Sequence, residues 1–250
     1  MGTTDRSLSL LRLFTLDRPA WTAEEAALAL DVSISTSYRY LLALESIGLI
    51  AVTRPGIYVL GPAIIQLDRQ IQLTDPLLIS ARPTMNDLVT YAPAGSVVLL
   101  CRFFSDKVLC MHQMLSDGPS PHVSYDRGRP MPMFRGATSK IILSCLPPRR
   151  LKAIFLSHQE EVKTAGLGDD WERFKVSMVS LRKAGFAVSF GEIDPGYIGI
   201  AVPILGIDRY AIGSLSFVLT DELEHRKIPH LVSLLQAGAK VIESALNTER

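Results

Sequence analysis

Two groups of residues in this 250-residue chain have types and spacings that point to chemistry, and the chemistry differs between them. The first is Ser33, Ser35, Thr36, Ser37, Tyr38 and Arg39, joined further along by Arg54. Short hydroxyls approach phosphates closely, and tyrosine and arginine reach base edges or backbone, so this group suits double-stranded DNA. The second is Gly136-Ala137-Thr138-Ser139, which opens an apolar helix continuing through Ile141 to Leu146, with Arg127, Arg129, Arg135 and Lys140 around it. Small residues at a helix start expose unpaired amides and the positive end of the dipole, a combination that attracts carboxylates. The loop Ser189 to Gly199 is the expected second wall, with Tyr197 as an aromatic surface and Glu192 and Asp194 fixing the turn rather than touching an anion. The run Ala211 to Leu219 alternates as a strand, with Ser214, Ser216 and Val218 on one face and Gly213, Leu215 and Phe217 on the other.

The first group needs a helix to present it. Leu8, Leu11, Leu13 and Leu16 give an apolar stripe to a first supporting helix, interrupted by Pro19. Thr22-Ala23-Glu24-Glu25 matches the capping box that starts a second helix, packed through Ala26, Ala27, Leu28 and Leu30. Asp31 and Val32 form a turn, and Ser33 caps a third helix reaching Ser46, with Gly48 at its C-terminal end. On that helix Leu41, Leu44 and Ile47 should face the core, which leaves residues 35–39 outward. Leu49 to Thr53 and Ile57 to Leu60 are short strands joined through Arg54-Pro55-Gly56, a hairpin with a cation at its tip. The sum is a winged helix-turn-helix. Charge argues the other way, since residues 1–75 hold six Arg and no Lys against eight acidic residues, a net of −2. Distribution answers this: Ser33 to Leu44 carries no acid and holds Arg39.

Beyond the wing, Ile64, Ile65, Leu67, Ile71 and Leu73 alternate with polar residues as in a linker helix that also packs against a partner. Asp75-Pro76 starts a helix towards Tyr91, and Ser96 to Phe104 and Lys107 to Leu115 form a hairpin about Ser105-Asp106. A two-residue turn sets Phe104 opposite Lys107 and Cys101 opposite Cys110, a pair read as small buried thiols rather than a redox switch or metal site. His112 reads as hydrogen-bonded, and no metal or cofactor is assigned. Cys101, Cys110 and Cys145 form no CxxC pair. Neither Cys110 with His112 and His122 nor Ser144-Cys145 matches a catalytic spacing, so the chain does not read as an enzyme. With 48% hydrophobic residues, a net charge of +1 and no apolar run of bilayer length, a globular protein of the cytoplasm without membrane contact is expected.

These motifs resemble the IclR-type bacterial transcription regulators. Leu30-Asp31-Val32-Ser33-Ile34-Ser35-Thr36-Ser37-Tyr38-Arg39 is close to that family's recognition-helix pattern, and Gly56-Ile57-Tyr58-Val59-Leu60-Gly61 to its wing ending. Residues 129–140 and 191–201 resemble its effector-domain helix start and its late pocket loop. The resemblance implies an α+β chain with a winged helix-turn-helix over 1–61, a linker helix over 62–78 and a GAF-like effector domain over 79–250. It implies a homodimer or dimer of dimers on operator DNA, with effector contacts at Ala137, Thr138, Ser189, Tyr197, Gly199, Ser216 and Val218, and Val123 nearby; Arg135 and Gly136 join them from the anion-site reading above. Phe134 and Arg135 stand where the family has His and Ala, Ser139 replaces a Gly, and Val218 occupies a position that often carries a hydroxyl. The added ring and guanidinium suggest an aromatic carboxylate effector and control of a catabolic operon. The alternative is a binding protein or sensor for a sugar acid or short keto acid.

Overall fold

The computed structural model describes residues 3–118, 123–223 and 225–248, and the chain divides into two compact units at Asp75/Pro76. His122 lies outside the described residues. The first unit comprises α1 (Thr3–Ser9), a 3-10 turn (Leu10–Leu13), α2 (Ala23–Leu30), α3 (Ile34–Ser46), β1 (Ile50–Arg54), β2 (Ile57–Leu60) and α4 (Ala63–Thr74). The capping box forms as expected: Thr22 Oγ1 accepts from the Glu25 amide, and Glu25 Oε2 accepts from the Thr22 amide at 2.9 Å. Asp31 takes φ 52 and reverses the chain into α3. Leu10, Trp21, Ala26, Tyr40, Leu41, Leu44, Ile50 and Tyr58 form the core of this unit. Trp21 pairs with Tyr58 through both backbone amides and donates its indole N–H to the Leu13 carbonyl, tying the N-terminal segment to the wing.

The leucine stripe of the first helix is corrected. Helix α1 gives way to the 3-10 turn after Ser9, so the period changes and Leu10 becomes the buried anchor while Leu8 and Leu16 are exposed. Ile47 is 63% exposed, because α3 has already ended at Ser46 and its periodicity no longer applies. Helix α4 has no buried residue, and Ile65, Leu67, Ile71 and Leu73 are exposed. It stops at Thr74 rather than continuing to 78; Leu77 and Leu78 enter the core of the second unit.

That unit comprises α5 (Pro76–Tyr91), β3 (Val97–Phe104), β4 (Lys107–Leu115), β5 (Pro130–Met131), α6 (Ala137–Ser144), α7 (Pro148–Ser157), α8 (Gln159–Thr164), α9 (Trp171–Ala184), β6 (Ala187–Phe190), β7 (Tyr197–Leu205), β8 (Ala211–Thr220) and α10 (Ile228–Thr248). The strands form an antiparallel sheet in the order β5-β4-β3-β8-β7-β6. One face packs Leu100, Ile200, Leu215 and Phe217 beneath Met85 of α5 and Leu235 of α10. The other packs Leu99, Cys101, Cys110 and Val218 beneath Ile142 of α6, Phe155 of α7 and Phe174 of α9. This alternation follows from the period-2 pattern of the strands, and β8 divides its residues between the faces as expected. Ser105 and Asp106, at φ 48 and 47, make the two-residue turn that sets Cys101 opposite Cys110. A bulge after that pair brings Leu100 opposite His112. Among the described residues, no helix is long and apolar enough to cross a membrane.

Candidate functional site

In the first unit, the start of α3 forms a surface of hydroxyls. Ser33 Oγ accepts from the Thr36 amide at 3.2 Å and lies 3.1 Å from Ser35 Oγ and 2.8 Å from Thr36 Oγ1. Ser33, Ser35, Tyr38 and Arg39 are exposed and Thr36 is half-buried. Ser37 is corrected: it is fully buried, three residues before the core residue Tyr40 and on the same side of α3, so its hydroxyl is not part of the exposed surface. Arg54 is exposed at the end of β1, just before the Pro55-Gly56 turn of the wing. The unit therefore presents Ser33, Ser35, Thr36, Tyr38 and Arg39 on the first turns of α3, with Arg54 on the adjoining hairpin.

In the second unit, α6 is held at both ends by residues distant in sequence. Gly136 stands at its N-cap with φ 77, and a Cβ built there would come within 2.6 Å of Ile193 Cδ1. Only glycine fits. The Gly136 amide donates to Glu192 Oε2 at 2.8 Å, and the Ala137 amide donates to Ser189 Oγ at 3.0 Å. Glu192 Oε1 also lies 2.5 Å from Lys140 Nζ. At the other end, the Arg182 guanidinium of α9 donates to the carbonyls of Ser144 at 2.6 Å and Leu146 at 2.8 Å, a cation at a helix C-terminus. Thr138 Oγ1 donates to Ser216 Oγ at 3.1 Å, fastening the first turn of α6 to β8.

The sheet register gathers most of the expected effector residues here. Ser189 of β6 pairs with Gly199 of β7, which pairs with Val218 of β8, and Ser216 lies two residues before Val218 on the same face. Val123, Ile193 and Tyr197 pack against the same apolar cluster as Val218. Ser139 Oγ and Ser214 Oγ are fully buried with no hydrogen-bond partner, and Ser214 shares its strand face with Ser216. Thus Gly136, Ala137, Thr138, Ser189, Gly199, Ser216 and Val218 meet around one helix end.

The cations do not gather as expected. Arg135 is exposed, Arg129 is exposed, and Arg127 donates to the Met111 carbonyl of β4. Lys140 is the cation bonded at the helix start. Phe134 is buried among His158 and Phe174 in an aromatic cluster that extends to Phe155 and Trp171, so its ring serves the core.

Glu192 and Asp194, expected to fix the turn of their own loop, also reach outside it, and Tyr125 is the residue that the sequence reading missed. Glu192 takes hold of the helix start from 56 residues away, Asp194 accepts from the Ser124 amide at 2.8 Å and hydroxyl at 2.6 Å, and Tyr125 is buried with its hydroxyl 3.5 Å from the Cβ position of Gly136. Burial, reinforced by the charges of Asp194, Cys101 and Glu192, pushes the Tyr125 phenol well above its ordinary range, so it stays a neutral donor. The sequence marks Glu192 as a carboxylate in a loop but carries no sign that this loop meets the start of α6, 56 residues earlier.

Cys101 and Cys110 are buried free thiols. Their mutual hydrogen bond raises Cys101, with burial adding to it, and lowers Cys110 against the opposing effect of burial, while Cys101 also donates to Met131 Sδ at 3.6 Å. Among the described residues, no group of His, Cys, Asp and Glu is arranged to hold a metal.

The sequence matches two family descriptions: the IclR helix-turn-helix domain over residues 3–53 and the bacterial transcriptional regulator IclR C-terminal domain over residues 73–244. The HTH-type transcriptional regulator KipR of Bacillus subtilis (strain 168) is 23% identical over 251 residues, covering 99% of this chain and 96% of KipR. Two solved structures share the fold. An IclR-type regulator from Alicyclobacillus acidocaldarius superposes with a TM-score of 0.80 at 20% identity, covering 98% of this chain and 99% of that one. An IclR homolog from Microbacterium hydrocarbonoxydans, complexed with 4-hydroxybenzoate, gives 0.77 at 20% identity over 99% of this chain and all of that one. The chain belongs to the IclR family of bacterial transcriptional regulators.

Proposed function

We propose that this regulator binds operator DNA through the start of α3 and the wing, and senses a small organic acid, an aromatic carboxylate, at the start of α6 to control a catabolic operon. The observation that carries the acid reading is the way Glu192 is held. A carboxylate already bridges the Gly136 amide and the Lys140 ammonium, so this helix end is built to the dimensions of that group. Tyr125 and Tyr197 supply aromatic surface beside it, and the unpartnered hydroxyls of Ser139 and Ser214 leave polar capacity for a ligand substituent. The Microbacterium relative's 4-hydroxybenzoate supports an aromatic acid. Phe134 and Arg135 no longer do, since the first is core and the second is exposed.

On the DNA side, Ser33, Ser35 and Thr36 suit phosphate contacts, and Tyr38 and Arg39 suit base edges, with Arg54 on the wing reaching the backbone. Two copies are needed to read half-sites about 34 Å apart, so a modest change in the spacing of two recognition helices alters affinity. The exposed apolar side of α4, formed by Ile65, Leu67, Ile71 and Leu73, suits contact with the second copy.

A gel-shift assay with the DNA upstream of the gene, run across a salt series with and without 4-hydroxybenzoate, tests the reading. The expected result is a shift that weakens steeply with salt and responds to the acid. A salt-insensitive result, or no shift at any salt, sinks the DNA half; a shift indifferent to benzoate-type acids but responsive to sugar acids or keto acids sinks the aromatic half.

A further inference from the structure

The strap formed by residues 191–196 crosses the start of α6 and is fastened to it and beside it. Glu192 bonds the Gly136 amide and Lys140, Ile193 packs at Gly136, and Asp194 takes both the amide and hydroxyl of Ser124. The two ends of the Glu192 ion pair differ in their surroundings. The Lys140 side chain is 13% exposed and cannot reach water freely, whereas that of Glu192 is 33% exposed and reaches inward from the surface. A buried ammonium without a counter-charge is costly, so Lys140 needs one carboxylate at all times. Of the two partners, Glu192 has the more open route to solvent.

We infer that Glu192 is an internal competitor for the effector site: its carboxylate holds the place that an acid effector takes, and binding exchanges one carboxylate for the other. The inference rests on the acid-sensing reading above and extends it to what sets affinity and selectivity. In the exchange the effector oxygens accept from the Gly136 amide and from Lys140, while Glu192 swings out into water. The charge at the helix start is the same before and after, so the step does not strand the lysine. Asp194 keeps its two bonds to Ser124 throughout, so the strap shifts at its Glu192 end and stays anchored at the other.

Two consequences follow from competition. The apparent affinity for an acid is the intrinsic affinity reduced by the fraction of molecules in which Glu192 holds the site. Selectivity for charge is also built in, because an amide or alcohol analogue that displaced Glu192 would leave Lys140 without its counter-charge.

The test is calorimetric titration of the full chain with benzoate, 4-hydroxybenzoate and 4-hydroxybenzamide, comparing wild type with Glu192→Gln, Glu192→Asp and Lys140→Met. Glu192→Gln keeps the side chain's length and loses its charge, and we expect it to bind the acids at least about fivefold more tightly than wild type, with the amide still rejected by wild type. Glu192→Asp, which withdraws the carboxylate from the Gly136 amide, should shift affinity in the same direction and serves if the glutamine variant does not fold. Lys140→Met should weaken acid binding at least tenfold. Acid binding by wild type that is unchanged or weaker in both Glu192 variants overturns the competition and leaves the acid site standing. Binding that appears only in the Glu192 variants supports it in its strongest form. Failure of either acid to bind any of these proteins overturns the acid site and the competition together.

Discussion

Two helices begin in this molecule with small polar residues, and they are finished in opposite ways. Helix α3 is completed by its own neighbours: Ser33 caps it, its hydroxyl reaching no further than Thr36, and Ser35, Tyr38 and Arg39 after it are exposed. Helix α6 is completed from afar, by Ser189 and Glu192 at one end and Arg182 at the other, and its first turn is buried. A helix start finished locally can offer its surface to a large rigid partner without reorganising. One finished by residues 52 and 56 positions away is coupled to their loop, so whatever binds there must move the loop or work around it. Under the proposed function, that difference separates the reader of DNA from the sensor.

The largest effect that could break this comparison concerns a pair of glycines. Gly56 in the wing and Gly136 before α6 both have φ 77, but a Cβ at Gly56 meets nothing within 4 Å, whereas one at Gly136 runs into Ile193. Gly56→Ala should therefore cost only the backbone term, about 1 kcal/mol. Gly136→Ala puts a side chain at φ 77 and ψ 152, a combination that non-glycine residues avoid, and also makes the tip of Ile193 move aside, so it should cost roughly 2–4 kcal/mol. Thermal unfolding of the two variants measures the gap. Equal losses would mean that the strap is loosely held and that α6 is not finished by it.

The same contrast explains what was legible in the sequence. The capping box at Thr22, the Ser33 cap, the two-residue turn at Ser105-Asp106 and the Cys101–Cys110 register all depend on residues within a few positions of each other or on simple counting along a hairpin. The residues Ala137, Thr138, Ser189, Gly199, Ser216 and Val218 are implied by the family resemblance, and the sheet register brings them together at the start of α6. What escaped was set by tertiary packing. Ser37 went inward because α3 turns its Tyr40 side into the core, and a short run of polar residues carries no mark of which one is covered. Lys140 and Arg135 are five residues apart and equally cationic in sequence, yet only the fold decides that one meets Glu192 and the other meets water. Phe134 looked like a pocket wall until His158 and Phe174 surrounded it.

The next effect sharpens the DNA side. Arg39 is exposed, and no stabilising role is visible beyond a guanidinium 6.0 Å from the centre of the Tyr40 ring, a weak contact at that distance. Arg39→Ala should leave the melting temperature unchanged while weakening operator binding by about 1–3 kcal/mol, roughly 5- to 150-fold, in a gel-shift titration. Acid binding should be untouched, because the substitution lies in the other unit. A loss of stability or of acid binding would show that the start of α3 is as entangled with the fold as the start of α6.

The smallest effect is a pH dependence confined to the second unit, at His112 on β4. Burial lowers its pKa from the ordinary histidine value, and the positive charges of Arg82 on α5 and of Arg127 lower it further. The neutral ring is therefore favoured in the folded protein, while the unfolded chain takes up its proton near pH 6.5. As pH falls below that point the unfolded state binds the proton first, so the contribution of His112 to stability is complete above about pH 6.5 and is lost as pH falls towards the folded value. The group is only half-buried, and solvent screening keeps the loss small, about 1–2 °C in melting temperature between pH 7 and 5. His112→Gln should flatten that part of the profile relative to wild type. An identical slope in the two proteins would mean that this ring among its arginines does not set the acid sensitivity of the second unit, and that its burial on β4 costs the charged form nothing that folding registers.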